Sequence, residues 1–335
     1  MPRRGHKPFW KNENPNGKAV ELKQHIHNMT TFVPDSVTVS TPIRMFRTLM
    51  FAPASRPELL AKAQLGEADA LIFDLEDSVP VNAKEVARHN VAVALAAGLS
   101  KPIYLRINHP RAGDFQSDLA VLAQAPSLSN VMGVILPKAE LVTDVQAVAS
   151  ALDALETRAG LTPGSLAIVP LIENCLGLRN TFDLVKASTR VVGVAIASAE
   201  EGDFMVDLGG RWTPSSLALM YPRSKLVVDA RAAGVQWLVD GVFMNLKDTA
   251  ALRVECEIAR ELGFVGKMAI HPTQVELMHQ VFSPSAEEIE YAQGLLAAFR
   301  DGEARGVGAV KYRGMMVDYA NVRLAERTLS LGAAA

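Results

Sequence analysis

Four apolar residues of strand-forming type, Ala70-Leu71-Ile72-Phe73, run straight into Asp74, Glu76 and Asp77. Massing negative charge where a strand stops is costly unless a cation, an arginine or water offsets it. Other chemistry-bearing residues follow apolar runs in the same way. Arg106 and Asn108 come with Ile103-Tyr104-Leu105, Lys138 follows Leu136-Pro137, and Glu173 follows Val169-Pro170-Leu171-Ile172. Glu200, Glu201 and Asp203 lie beyond Val191–Ala197, and His271 follows Ile270. Carboxylates with room for water suit a hard cation such as Mg2+, which takes one or two carboxylates together with the substrate's own oxygens. Zinc would favour His or Cys, which this set mostly lacks. An arginine beside such an ion suits a carboxylate held by two parallel hydrogen bonds. Taken alone, these residues point to metal-assisted chemistry on a small carboxylic acid.

The elements that must position them have a clear rhythm. Strand candidates are Thr48–Ala52, Ala70–Phe73, Ile103–Ile107, Met132–Leu136, Ala167–Ile172, Val191–Ala197, Gln236–Val239 and Met268–Ile270. Between them lie stretches of helical period, including Pro57–Gln64, Ala83–Ala97, Val142–Ala159, Gly177–Ala187, Ser215–Ala232 and Thr249–Leu262. Strands alternating with helices imply right-handed parallel crossovers. Eight such units fit a (β/α)8 barrel better than an open doubly wound sheet, and no glycine-rich dinucleotide fingerprint follows the first strand. In such a barrel the active site lies at the C-terminal strand ends, where the charged residues above would converge on one rim. The expected layout is α/β: an N-terminal arm over 1–44, weakly structured; the barrel over 45–282; and a C-terminal helical segment over 283–335. That last segment carries a helix over Ser285–Arg300 with Ser285 as N-cap, a loop over 306–318, and a final helix at about Ala320–Leu331. The barrel closes without it, so it reads as a lid or a subunit-exchange element. Within the arm, Lys18–Met29 is a minority candidate for a docked helix.

Each residue also has a plainer explanation. Arg106 pairs with Asp74 or Glu76 for structure alone, and a Lys such as Lys138 often only snorkels after a strand. His271, before a proline, reads more readily as a hydrogen-bonded cap than as a catalyst. Glu173 has a buried ion pair as its plain alternative, and Asp203 has loop solvation. Cys175 has no marked histidine partner and reads as packing. Solvated strand termini account for one or two charged ends, but poorly for six.

Composition bounds the rest. The chain has 335 residues, 49% of them apolar and 21% charged, with a formal net charge of −2. That balance gives no reason to propose a nucleic-acid or membrane partner. Two cysteines, Cys175 and Cys256, have no metal-type spacing, and a reducing cytoplasm is the expected compartment. No apolar run approaches the roughly 20 residues that span a bilayer, and the start Met1-Pro2-Arg3-Arg4-Gly5-His6-Lys7 lacks a secretory core.

An ordered set of segments resembles a known family. It comprises Arg47-Thr48-Leu49-Met50-Phe51-Ala52-Pro53-Ala54-Ser55-Arg56, Phe73-Asp74-Leu75-Glu76-Asp77-Ser78, Leu105-Arg106-Ile107-Asn108, Leu136-Pro137-Lys138, Ile172-Glu173 and Ile270-His271-Pro272-Thr273-Gln274. Together these are similar to the HpcH/HpaI aldolase and citrate lyase β-subunit superfamily, on the branch of malyl- and citramalyl-CoA lyases, over about residues 45–331. The resemblance implies a (β/α)8 barrel in a homo-oligomer, trimer or hexamer, with Mg2+ (or Mn2+) at the rim. It implies Glu173 and Asp203 as metal ligands, with Glu173 also touching substrate through the ion and Arg106 holding a substrate carboxylate. Asp74 joins the catalytic set, and Asp74, Glu76, Asp77 and Lys138 support metal waters and the arginine. The acidic strand end then lies across the barrel mouth from the ion. Gly314-Met315-Met316-Val317-Asp318 matches a C-terminal segment whose aspartate enters a neighbouring subunit's site, which nominates Asp318 as general acid or base; its plain alternative is an exposed loop acid.

The implied activity is cleavage or formation of a hydroxy-dicarboxylic acyl thioester, of malyl, citramalyl or citryl type. The products are an oxo acid and an acetyl- or acyl-thioester, formed through a metal-stabilised enolate, with CoA or an acyl carrier as partner. Two other readings stay open: a metal-dependent aldolase on free 2-oxo acids without CoA, and a catalytically degenerate barrel kept as a subunit or scaffold. The chain departs from the family pattern at Pro53-Ala54, where Pro-Gly is frequent, and at Glu201-Gly202-Asp203-Phe204, where Glu200 or Glu201 competes with Asp203 for the ligand role. The long N-terminal arm is also unusual for the family.

Overall fold

A computed structural model describes residues 44–334. The arm expected over 1–44, with its candidate helix, therefore lies almost wholly outside the described residues. Eight parallel strands close into a barrel in sequence order: β1 Thr48–Pro53, β2 Ala70–Asp74, β3 Ile103–Arg106, β4 Val131–Leu136, β5 Ala167–Ile172, β6 Gly193–Ile196, β7 Trp237–Asp240 and β8 Gly266–Ala269. Closure comes from β1 pairing with both β2 and β8. Every strand in the expected order is present, so the (β/α)8 class is correct. No helix among the described residues is long and apolar enough to cross a membrane.

Two strands start two residues away from the expected position, and the other shifts are of a single residue. At the sixth strand, Val191 makes only an isolated bridge to Ile168, and the continuous strand starts at Gly193. The eighth begins at Gly266, two residues before the expected Met268. Gly266 looks like a turn in sequence. Here it permits close approach, because a Cβ at that position would lie 2.4 Å from the Phe46 carbonyl oxygen.

Side-chain alternation separates two cores. Leu49, Ala70, Ile72, Tyr104, Ile135, Val169, Leu171, Ala195, Trp237, Val239 and Met268 fill the barrel interior. Phe46, Tyr104 and Trp237 meet as an aromatic cluster there, and the Trp237 indole donates to the Phe46 carbonyl at 3.1 Å. The intervening residues, such as Leu71, Phe73, Leu105, Ile172 and Leu238, pack outward against the helices.

Beyond the barrel, the expected helix from Ser285 is present as Ala286–Ala304 with a capping box between Ser285 and Glu288. The stretch expected as a loop over 306–318 is instead an antiparallel hairpin, β9 Val310–Tyr312 with β10 Met315–Val317. Its strands have three residues each, too short to show alternation in sequence, and its turn uses Arg313 and Gly314 at positive φ. The stretch expected as one helix over Gly177–Ala187 is two, Cys175–Arg179 and Thr181–Lys186, broken at Asn180. The C-terminal helices and hairpin share a small core of Ala292, Leu295, Leu296, Phe299, Val317 and Ala325.

Candidate active site at the barrel mouth

Inward parity continues past the last apolar residue of several strands, and that is what assembles the site. Asp74 lies two residues beyond inward Ile72, Arg106 two beyond Tyr104, and Glu173 two beyond Leu171. All three line one cavity of about 270 Å³, whose remaining wall includes Phe51, Leu171, Ala197, Val242, Met268 and Ile270. A larger hollow of about 340 Å³ lies between the two C-terminal helices, and none of the expected site residues lines it.

Asp74 and Arg106 form a buried bidentate pair, with Nε and Nη2 each 2.6 Å from a carboxylate oxygen. The backbone N–H groups of Glu76 and Ser78 also donate to Asp74. Burial opposes the Asp74 charge, but Arg106 outweighs it and holds the carboxyl below its usual range. Arg106 is held firmly protonated in return. Its Nη1 reaches Glu76 at 3.2 Å, and the guanidinium sits 4.9 Å over the Phe51 ring. With Asp74 on the Nε–Nη2 edge, each terminal nitrogen keeps a further N–H.

Lys138 breaks parity. Its φ of +49° turns the chain out of the β4 direction. As a result its backbone N–H donates to Glu173 at 2.9 Å, while its ammonium bonds Glu76, lies 2.7 Å from Asp77 and reaches Asp203 at 3.5 Å. Burial works against that ammonium, yet the bonds to Asp77 and Glu76 raise its pKa. The simple snorkelling alternative therefore fails for Lys138.

Glu173 is buried, and burial pushes its carboxyl up to about 7; Arg106 and Lys138 pull it down, and Glu76 pushes it further up. A carboxylic acid in that state gains from any cation brought beside it. Carboxylate oxygens of Glu173, Asp77 and Asp203 all lie within 4.8 Å of one another. Three carboxylates with two members open to solvent and no His or Cys form a hard-cation donor set, so these residues fit Mg2+. The geometry thus brings Asp77, expected as support, together with the two expected ligands instead of across the mouth from them. Glu200 and Glu201 are exposed and are not part of the cluster. Asp203 is presented by a short helix, Asp203–Leu208, within what reads as an acidic loop in sequence.

The remaining candidates fall elsewhere. His271 caps the turn Pro272–Gln274, its ring nitrogen bonding Thr273, as the plain alternative expects. Cys175, expected to pack, is instead exposed, and its backbone N–H donates to Asp207. Asp318 is exposed at the start of the last helix, and its carboxylate accepts from the Ala320 N–H, so it is not part of its own chain's cavity. Phe51, which lines the cavity beneath Arg106, carries no signal in sequence, because an aromatic on an inner strand reads as core.

Comparison with known proteins places the fold in a family. The family model described as HpcH/HpaI aldolase/citrate lyase matches residues 47–272, and one described as C–C bond lyase of the TIM-barrel fold matches residues 226–334. A citrate lyase subunit beta from Leuconostoc mesenteroides subsp. cremoris is 33% identical, covering 86% of this chain and 93% of its own. A (3S)-malyl-CoA thioesterase from Cereibacter sphaeroides is 36% identical, covering 85% of this chain and 94% of its own. Among solved structures, CitE from Mycobacterium tuberculosis in complex with magnesium, acetoacetate and coenzyme A superposes with a TM-score of 0.68 at 27% identity, covering 87% of this chain and 100% of that one. The chain belongs to the HpcH/HpaI aldolase/citrate lyase family, as an enzyme of its carbon–carbon lyase class.

Proposed function

We propose that the protein is a Mg2+-dependent lyase that cleaves, or in reverse forms, a hydroxy-dicarboxylic acyl thioester of malyl, citramalyl or citryl type. The observation that carries this reading is that one small, mostly apolar cavity is lined by both the Arg106 guanidinium and Glu173, and that Glu173 also belongs to a three-carboxylate cluster with Asp77 and Asp203. Glu173 and Asp203, with Asp77, would hold the ion, and when bound it supplies positive charge beside the oxygens on which negative charge develops.

The chain's own residues do the rest. Asp74 fixes the Arg106 plane, so its free N–H groups face the cavity and hold the substrate carboxylate. Phe51, Leu171, Met268 and Ile270 exclude water from the carbon–carbon bond being broken. A cavity of about 270 Å³ suits a four- or five-carbon acid and leaves the thioester carrier outside it. Asp318 of a neighbouring subunit would move the proton at the thioester α-carbon, because its own chain holds it on an exposed edge. This assigns the C-terminal segment to subunit exchange in a trimer or hexamer. A cytoplasmic setting belongs to the same reading, since Cys175 and Cys256 are both free thiols.

The test is a panel of malyl-, citramalyl- and citryl-thioesters, assayed for oxo-acid release with and without EDTA. Release that EDTA abolishes, and that Glu173→Ala removes together with metal binding, supports the assignment. Turnover of free oxo acids with aldehydes, and none of any thioester, would overturn it in favour of an aldolase.

A further inference from the structure

Lys84 stands out once the site residues are set aside. It is the first residue of the helix Lys84–Ala97, where a positive charge opposes the helix dipole, and it is buried. It takes part in no ion pair with a carboxylate among the described residues. Its ammonium instead donates to three neutral acceptors: the carbonyls of Leu75 at 2.6 Å and Glu76 at 2.8 Å, and the Asn108 side-chain oxygen at 2.9 Å. All three of its N–H groups are thereby used. A cation placed against a helix dipole, out of water and without a counter-ion, is costly, and these three hydrogen bonds are what offset that cost.

The contacts grip one short turn. Leu75 and Glu76 contribute the carbonyls on either side of the Glu76 residue, and Asp77 follows directly. The Asp77 N–H in turn donates to the Glu76 carboxylate at 2.8 Å. Asn108, two residues beyond Arg106, also donates to the Leu75 carbonyl at 2.9 Å, and Asp118 anchors it through two 2.7 Å bonds. One ammonium therefore ties the turn that aims Asp77 to the strand end that carries Arg106.

We propose that Lys84 is a positioning residue that holds the Leu75–Asp77 turn so that the Asp77 carboxylate stays in register with Glu173 and Asp203. This rests on the reading that those three carboxylates hold the divalent cation.

The experiment measures Mn2+ affinity by electron paramagnetic resonance on the substrate-free, full-length protein. A double-mutant cycle combines Lys84→Met with Asp77→Asn, and thermal melting serves as a control. Lys84→Met should weaken Mn2+ binding about ten- to a hundredfold, the usual cost of losing a residue that orients a ligand. In the Asp77→Asn background the same change should cost less than about threefold, because the carboxylate it aims is gone. Equal losses in both backgrounds, or no loss in a folded Lys84→Met protein, would overturn the proposal. If Lys84→Met does not fold, Lys84→Gln, which keeps two N–H donors, enters the same cycle under the same criteria. Wild-type Mn2+ binding that survives Glu173→Ala would instead overturn the metal-site reading, and the role of Lys84 with it.

Discussion

The backbone N–H of Lys138 meets the Glu173 carboxylate at 2.9 Å, joining the ends of two neighbouring strands through a residue in the left-handed region. A non-glycine residue there carries a backbone cost of roughly 1 kcal/mol or more. The turn it makes points the ammonium back at Glu76, Asp77 and Asp203. Lys138 thus supports one expected metal ligand with its main chain and competes for two other carboxylates with its side chain.

Lys138→Gly separates those two effects. It keeps the N–H, relieves the backbone cost and removes the competing ammonium. Divalent-cation affinity, measured by calorimetry, should rise by up to about fivefold, the worth of a partly exposed ion pair. A fall in affinity would show that the ammonium organises the cluster instead of competing with the ion.

Arg106→Lys should leave the metal affinity within about threefold of wild type, yet reduce kcat/KM by about ten- to a hundredfold. A lysine offers a point charge where the guanidinium offers a planar edge already clamped by Asp74. Steady-state kinetics on the turned-over thioester would check it. An unchanged kcat/KM would remove Arg106 from substrate binding.

Mixing Asp318→Ala subunits with Arg106→Ala subunits tests the shared site. If each site joins Arg106 of one subunit to Asp318 of the next, random reassembly leaves about a quarter of sites intact. Each variant alone should be inactive. A mixture that stays inactive after confirmed subunit exchange would place Asp318 outside the reaction.

Acid stability should depend on Glu156, far from the catalytic chemistry in role. Burial opposes its charge, but Arg190 at 2.8 and 2.5 Å and the N–H groups of Leu166 and Gly164 lower its pKa from 4.5 to about 2. A depressed carboxyl stabilises the fold fully above its unfolded value and loses that contribution as pH falls from about 4.5 towards 2. In urea unfolding, the stability advantage of wild type over Glu156→Gln should shrink by about 2 kcal/mol between pH 6 and pH 3. A constant difference across that range would contradict the shift.

Much of the scaffold was legible because it is local. Runs such as Ala70–Phe73 and Ala167–Ile172 are apolar at both parities, as a strand buried on two faces requires. Ser285 with Glu288 announces its helix by chemistry alone. The hairpin Val310–Val317 was not legible, since three-residue strands carry no period and are held by contacts with the helix Ala286–Ala304. Lys84 is not legible for a related reason: two of its three partners are main-chain carbonyls, which every sequence has everywhere.

By itself the sequence determined the barrel and the rim on which Asp74, Arg106 and Glu173 gather, because the alternation of strands and helices is a local property. Only the tertiary structure decided which of them meet. It paired Asp74 with Arg106, moved Asp77 beside Glu173 and Asp203, and bent Lys138 off its strand direction to touch all three acidic segments. Those choices depend on distances between strand ends that are set by closure of the whole barrel, and no stretch of neighbouring residues encodes them.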